Sequence, residues 1–190
     1  MTEQELYDAL HYVNHSREKR AYYAQLVRQQ PDLIPKILKI LFMVDDTRSP
    51  RAAWIIEFCC KEDVSPILPH LDAFLSKLNT VYQDPAVRPV AKVCEYLTIA
   101  YYKKKHTLAR NMLQPHHKEL IIENCFDWLI TDQKVAPKAY ALTTLFLLGT
   151  EYDWVHPELK MIMEADYHKG SAAYKARCRH MLDAIEKFKK

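Results

Sequence analysis

Glycine is almost missing from this sequence: only Gly149 and Gly170 occur among 190 residues. Hairpin turns, strand bulges and phosphate-binding loops depend on glycine, because a residue without a Cβ atom adopts positive φ freely and lets a ligand come close. Neither G-x-G-x-x-G nor G-x-x-x-x-G-K-[ST] can be built from these two positions. The composition therefore excludes both common nucleotide-phosphate loops and disfavours a sheet-rich fold.

The sequence also lacks long apolar runs and any C-x-x-C motif. No stretch approaches the roughly 20 apolar residues that a membrane span requires, and residues 1–5 are polar and acidic, unlike a secretory leader. The five cysteines are an odd number, so they cannot all form disulfides within one chain. We therefore expect a cytoplasmic protein without membrane contacts, whose thiols are reduced and buried.

Neither sign of charge dominates the chain. The net charge is +3, with 49% hydrophobic and 27% charged residues. These values are ordinary for a folded globular chain and unlike those of disordered segments. Residues 1–190 are long enough for a single domain with a hydrophobic core, and the net charge alone does not indicate nucleic-acid binding.

The ten prolines mark helix starts, because proline is tolerated in the first helical turn. Ser49-Pro50, Ser65-Pro66 and Asp84-Pro85 each place a capping residue before a proline, and Thr2 and Glu5 have capping-box spacing. Apolar residues then recur at three-and-four spacing. The patterns predict an all-α fold of about ten helices, at roughly 3–13, 17–29, 32–44, 49–61, 65–80, 85–103, 115–131, 136–148, 156–168 and 172–188.

Short loops between the predicted helices indicate antiparallel neighbours. Residues 1–30 would cap the array, and residues 31–190 would form four helix pairs. In three pairs an aspartate in the turn precedes a basic residue near the start of the second helix: Asp45 with Arg51, Asp84 with Arg88, and Asp132 with Lys138. This pattern resembles the second helix of HEAT repeats. The resemblance implies a single HEAT-like domain, a right-handed α-α superhelix of stacked helix pairs.

A row of basic residues should line one surface, because equivalent positions of stacked repeats align. Such a row could hold a phosphate backbone or an acidic peptide. The alternative is that each cation pairs with a turn aspartate and satisfies a helix end. The row consists of Arg51, Arg88, Lys138, Lys175 and Arg177.

A second basic segment falls in the longest connection between predicted pairs, where loops often carry binding function. Tyr101 and Tyr102 precede it and could stack on bases. The alternative is a solvated connector, since lysine runs keep surfaces soluble. Its members are Lys103, Lys104, Lys105, Arg110 and Lys118.

An aromatic and acidic group is predicted on two successive second helices. Trp54 and Glu57 lie on one helix and Glu95 on the next, where a cleft between them could bind a cationic or alkylated base by cation–π and carboxylate contacts. HEAT-like alkylpurine DNA glycosylases use similar residues on a concave surface. The alternative is that Trp54 is a packing residue and that the glutamates pair with neighbouring bases.

The sequence predicts no metal, cofactor or nucleophile site. His11 and His15 have i,i+4 spacing, but no third ligand is identifiable. His116 and His117 are adjacent, and adjacent side chains on a helix diverge. Cys94, Cys125 and Cys178 fall in apolar stripes, which is typical of core cysteines.

A further resemblance is to small bacterial proteins, some of which are labelled adenylosuccinate lyase. That enzyme family is far longer and uses a glycine-rich loop containing serine, for which this chain has no counterpart. The first functional hypothesis is therefore a non-enzymatic protein-interaction or scaffold module that uses the groove lined by the second helices. The alternative is a nucleic-acid-binding HEAT-like protein related to the glycosylases. A continuous basic groove would favour nucleic acid, and a mixed or apolar groove would favour protein.

Overall fold

The computed structural model describes residues 1–14 and 16–188, except for the side chain of Lys169. Within this part of the chain there are eleven α-helices and no strand, which confirms the prediction of an all-α fold of about ten helices. The helices are α1 Glu3–Ala9, α2 Arg17–Gln29, α3 Ile34–Leu41, α4 Ser49–Glu62, α5 Leu71–Leu75, α6 Asp84–Tyr102, α7 Thr107–Met112, α8 Pro115–Ile130, α9 Val135–Leu148, α10 Val155–Asp166 and α11 Ala172–Phe188. Short 3₁₀ helices lie at Leu10–Tyr12, Pro31–Leu33, Ser65–His70, Leu78–Thr80 and Tyr167–Lys169.

The prediction of one continuous helix over 65–80 is wrong. A 3₁₀ helix occupies Ser65–His70, and only Leu71–Leu75 is α-helical before a second 3₁₀ turn at Leu78–Thr80. Pro69 lies inside the first of these elements. Its ring nitrogen carries no hydrogen and its ring crowds the preceding turn, which disfavours a regular α-helix at this point, although α6 does continue through Pro89.

A second difference is α7, which lies in the segment predicted as a connector. The helix begins after His106, whose Nδ1 accepts a hydrogen bond from the backbone N–H of Ala109 at 3.2 Å. Ala109, which belongs to this helix, is fully buried. A histidine cap is not among the preferred capping residues, which is why the start of this helix carried no recognisable signal.

The two glycines are required for space rather than for unusual backbone angles. Neither has a positive φ. A Cβ atom on Gly149 would lie 2.1 Å from Cδ2 of His156, and one on Gly170 would lie 2.3 Å from Cδ1 of Tyr174. Gly149 thus makes room for the ring of His156 on α10, and Gly170 makes room for the ring of Tyr174 on α11.

The helices form two layers. In the first layer α2 packs on α4, α4 on α6, α6 on α9, and α9 on α11. In the second layer α1 packs on α3, α3 on the 3₁₀ helix Ser65–His70, α5 on α8, and α8 on α10. Contacts of α3 with α4, of α8 with α9 and of α10 with α11 join the layers, so the elements adjacent in sequence alternate between them.

The core lies between these layers and is built from aliphatic side chains and small residues. Phe74, Ile55 and Leu145 are fully buried, and burying side chains of this size stabilises the fold by about 1.5–3 kcal/mol each. All five cysteines are free thiols and are buried, as predicted. In the described residues no helix combines the length and the apolar character needed to cross a bilayer.

Candidate functional site

Glu57 on α4, predicted in the aromatic and acidic group, and Arg88 on α6, predicted in the basic row, meet in a bidentate ion pair. Arg88 Nη1 lies 3.2 Å from Glu57 Oε1, and Nη2 lies 2.7 Å from Oε2. The Glu57 side chain is 9% exposed and that of Arg88 is 35% exposed. A nearly buried carboxylate is costly unless it is paired, and the planar fork of arginine matches its two oxygens. The pair therefore fixes α4 against α6 and leaves the guanidinium at the surface.

Glu95, another member of the predicted aromatic and acidic group, is also paired with a cation, Lys92 of the same helix. Their side chains form a short ion pair, and Glu95 is 5% exposed. The Lys92 ammonium lies 4.2 Å from the ring centroid of Tyr140 on α9 and 5.0 Å from that of Tyr96. Lys92 therefore connects a buried carboxylate on α6 to an aromatic ring on α9.

Arg20 extends this arrangement to α2. Its guanidinium lies 4.6 Å above the ring of Phe58 and 5.8 Å from the ring of Trp54. Burial lowers the pKa of Arg20, partly offset by the charge of Glu57. The indole N–H of Trp54 donates to the carbonyl oxygen of Pro85 at 2.9 Å, and the residue is 8% exposed. Trp54 thus ties α4 to the start of α6, and its ring edge is largely inaccessible.

We call the surface formed by these side chains the α4–α6–α9 face. It presents Phe58, Tyr96 and Tyr140, one ring from each helix, with cations between them and two carboxylates beneath. Burial, together with the charges of Glu57 and Glu95, raises the pKa of Tyr96 to about 12. The face is therefore of mixed charge, with a neutral phenol at its centre. Its members are Arg20, Trp54, Glu57, Phe58, Arg88, Lys92, Glu95, Tyr96 and Tyr140.

The predicted row of cations is not a row of unpaired charges. Arg51 donates through Nη1 to the carbonyl oxygens of Leu10 at 2.9 Å and of His11 at 2.6 Å. Lys138 donates to the carbonyl oxygen of Leu129 at 2.8 Å. Both cations therefore satisfy carbonyls near the ends of preceding helices.

The C-terminal part of the predicted row lies farther along the first layer. Lys175 and Arg177 are half-buried on α11, which contacts α9. Helix α9 separates them from Arg88 on α6. The structure thus brings Trp54, Glu57, Arg88 and Glu95 together, and leaves the α11 cations apart from them.

The predicted basic segment divides into an exposed and a buried part. Lys103, Lys104 and Lys105 are exposed at the end of α6, and Arg110 is exposed on α7. Lys118 is 2% exposed, so its inclusion in a solvated segment is wrong. The first turn of α8 carries Lys118 into a buried position against α6, because the helix begins at Pro115.

We call the surroundings of that lysine the Lys118–Glu151 cluster, which also contains Tyr101 and Tyr102. Lys118 Nζ lies 2.9 and 2.8 Å from the two carboxylate oxygens of Glu151, and 3.9 Å from the ring centroid of Tyr101. The Tyr102 hydroxyl donates to Glu151 Oε2 at 2.6 Å. Both tyrosines predicted to stack on bases are therefore half-buried and contact this ion pair.

Sequence reasoning missed Arg20, Lys92 and Tyr140. Lys92 lies four residues after Arg88 and three before Glu95, so helical periodicity alone would have placed it on the same face. Arg20 carries no comparable signal, because its contacts with α4 depend on how α2 packs. Tyr140 reaches the face only through the packing of α9 on α6.

The cysteines offer no nucleophile. Burial raises the pKa of Cys59 to about 11 and that of Cys60 well above its ordinary value. Both thiols therefore stay protonated near neutral pH.

For the histidines the outcome is mixed. His15 lies outside the described residues, so the His11 and His15 spacing has no structural counterpart. His116 and His117 do not diverge as predicted: the Nε2 atoms of both lie within 2.9 Å of the same Asp72 oxygen. Asp72 comes from α5, and the 3₁₀ and α-helical turns that replace the predicted helix bring it there.

No protein-family model, curated protein or solved structure matches this chain. The resemblances to HEAT repeats and to proteins labelled adenylosuccinate lyase therefore remain predictions from sequence. The geometry of the side chains is the basis on which a function can be argued.

Proposed function

We propose that this chain is a non-enzymatic protein-interaction module, built as a HEAT-like stack, that binds an acidic segment of a partner protein on its α4–α6–α9 face. The observation that carries the proposal is that the cations of this face are more exposed than the carboxylates with which they pair. The carboxylates of Glu57 and Glu95 are 9% and 7% exposed, whereas the side chains of Arg88 and Lys92 are 35% and 22% exposed. An approaching partner meets cations first.

The rings of the same face favour a protein partner. Phe58, Tyr96 and Tyr140 are only partly buried and pack against the core from its edge. Aromatic residues and arginine are enriched in protein–protein interfaces, where they provide large contact areas at little entropic cost. A partner segment that alternates acidic and apolar side chains would match both the cations and the rings.

The pairing of the cations argues against nucleic acid as the principal partner. Arg88 and Lys92 each already share their charge with a carboxylate, and Arg51 and Lys138 are bonded to backbone carbonyls. Affinity for nucleic acid rests on cations that neutralise phosphates and release counterions. A mixed face gains little from that effect. Since the pairing also weakens attraction to an acidic peptide, the preference for protein rests on the rings of the face.

Nucleic-acid binding is nevertheless supported by one observation, the exposed run Lys103–Lys105 with Arg110 on α7. The stacking contribution predicted with it is weakened, since Tyr101 and Tyr102 are half-buried and contact Lys118 and Glu151. This second candidate therefore rests on charge alone and predicts binding that falls steeply with salt.

Fluorescence anisotropy with two probes tests the proposal. The first probe is a short labelled peptide of glutamate with interspersed phenylalanine, and the second is a labelled DNA duplex of matched charge. We expect the peptide to bind more tightly at about 50 mM salt and to retain more affinity as salt rises. Tighter binding of the duplex would establish the second candidate, and binding of neither probe would contradict both.

Two matched variants locate the binding surface. Tyr140→Ala removes a half-buried ring of the face without breaking an ion pair, and should weaken peptide binding by about tenfold. Met161→Ala removes an exposed side chain from α10 in the other layer and should leave binding unchanged. Equal loss in the two variants would contradict the assignment of binding to the α4–α6–α9 face.

A further inference from the structure

Three potential metal ligands converge where α5 meets the first turn of α8. His116 Nε2 lies 2.9 Å and His117 Nε2 lies 2.8 Å from Asp72 Oδ1. All three ligand atoms lie within 4.8 Å of one another. The two imidazole rings are tilted against each other, with centroids 3.9 Å apart. Side chains that usually point away from each other on a helix thus aim at a single carboxylate.

The packing of the two helices explains this convergence. Helix α5 contacts α8, and Pro115 begins α8 directly before the two histidines. The side chain of His117 is 6% exposed, that of His116 is 58% exposed and that of Asp72 is 83% exposed. The site is therefore anchored on its buried side by His117 and is open to water on the side of Asp72.

We propose that Asp72, His116 and His117 bind a divalent transition-metal ion of the zinc type. Two imidazole nitrogens and one carboxylate oxygen are ligands that suit Zn²⁺, Ni²⁺ and Co²⁺, whereas Ca²⁺ and Mg²⁺ prefer oxygen alone. Three protein ligands leave at least one coordination position, which water fills from the open side.

The two nitrogen–oxygen distances require only a small adjustment. In a tetrahedral zinc site with bonds of about 2.0–2.1 Å, neighbouring ligand atoms lie about 3.3 Å apart. The nitrogen–oxygen distances here are 2.8 and 2.9 Å, as in hydrogen bonds. Asp72 must move outward by about half an ångström for the ion to fit, and its exposed side chain is free to do so.

The hydrogen bonds of His117 give metal binding a distinctive consequence. His117 Nδ1 accepts the backbone N–H of Gln114 at 3.1 Å, so the ring proton lies on Nε2, which donates to Asp72. A metal ion needs the lone pair of Nε2, and the proton of the neutral ring must then move to Nδ1. A proton on Nδ1 repels the backbone N–H of Gln114, so the hydrogen bond between them is lost. Because Gln114 is exposed, this N–H then donates to water. Metal binding thus competes with the cap of α8.

Isothermal titration of the full chain, freed of metal by chelation, with ZnCl₂ tests the proposal. We expect one bound ion per chain, no binding of MgCl₂ or CaCl₂, and a loss of affinity of at least about tenfold in His116→Gln and in Asp72→Asn. Both of these residues are exposed, so their replacement should not impair folding. His180→Gln changes an exposed histidine on α11 and should bind as the unaltered chain does.

Nuclear magnetic resonance provides a second readout that does not depend on affinity. Zinc should shift His117 from the tautomer protonated at Nε2 to that protonated at Nδ1, and should accelerate hydrogen exchange of the Gln114 amide. Undiminished zinc binding by the triple variant Asp72→Asn, His116→Gln, His117→Gln would assign the ion to other residues and overturn the proposal. Absence of zinc binding by the unaltered chain would also overturn it. The three residues would then serve only to join α5 to α8 by hydrogen bonds.

Discussion

The α4–α6–α9 face and the Lys118–Glu151 cluster both combine cations, carboxylates and aromatic rings. They differ in which charged group of the ion pair is buried and which is exposed. On the face the carboxylate of Glu57 is buried and its cation, Arg88, reaches solvent. In the cluster the Lys118 side chain is 3% exposed and that of its partner Glu151 is 41% exposed. Ion pairing alone therefore does not identify a binding surface, because the group left at the surface decides which partner is attracted.

The comparison also concerns how each cation is held. The cluster joins the end of α6, the start of α8 and the turn after α9, and its tyrosines are half-buried around a buried lysine. The rings of the face are half-buried as well. The two arrangements therefore differ in the exposure of their cations rather than in that of their rings.

The largest effect is expected from Arg88→Met. The substitution removes the bidentate partner of the buried Glu57 carboxylate and leaves only the charge of Arg20 near it, and should lower the free energy of unfolding by about 3 kcal/mol. Urea denaturation would measure the loss. The double variant Glu57→Met, Arg88→Met removes both charges and should recover most of it; a double variant as unstable as the single one would show that the pair is not what stabilises this contact.

The corresponding change in the cluster, Glu151→Gln, should cost about 2 kcal/mol, because it leaves the Lys118 ammonium buried. The two variants should differ in their response to pH. The defect of Glu151→Gln should shrink as alkali neutralises Lys118, whereas that of Arg88→Met should not change over the same range. Urea midpoints at neutral and alkaline pH would measure both, and a Glu151→Gln defect that persists in alkali would contradict the burial of the Lys118 charge.

A smaller loss of stability is expected from Tyr140→Ala. The variant removes the ring that lies 4.2 Å from the Lys92 ammonium, and should reduce the free energy of unfolding by about 1 kcal/mol. Thermal denaturation would measure the change. A much larger loss would indicate that Tyr140 is mainly a core residue, and its effect on peptide binding would then reflect impaired folding.

The smallest effect concerns the acid dependence of the unaltered chain. Burial raises the pKa of Glu151, but hydrogen bonds from Lys118 and Tyr102 outweigh it, so the pKa is lowered from 4.5. The stabilisation by ionised Glu151 is therefore complete above pH 4.5 and is lost as pH falls through the lower value of the folded state. Glu151→Gln should flatten this part of the stability profile, and an unchanged profile would contradict the shift.

Local signals predicted several helix starts, but the caps predicted at Ser49, Ser65 and Asp84 are wrong, because each of these residues lies inside its helix and none of the three helices has a side-chain cap. The capping box of Thr2 and Glu5 is present, Ser171 accepts from the N–H of Tyr174 at 3.3 Å, and α2 spans the predicted residues. At Pro69 the apolar stripe continues but the chain is 3₁₀-helical, whereas α6 continues as an α-helix through Pro89. Helix periodicity does not register the missing N–H of a single proline.

The candidate sites were only partly predictable, because their geometry depends on contacts between distant residues. Spacing along the chain brought Trp54 and Glu57 onto one helix, but the pairing of Glu57 with Arg88 depends on packing across 31 positions. Lys118 looked like part of an exposed basic run until α8 placed it against Glu151. His116 and His117 acquire a common partner only through the fold.

Chemical-shift mapping of the protein with the glutamate–phenylalanine peptide tests the central claim most directly. The proposed function predicts that the largest changes fall on α4, α6 and α9, around Phe58, Tyr96 and Tyr140. Changes confined to Lys103–Lys105 and Arg110, with none on these three helices, would contradict it.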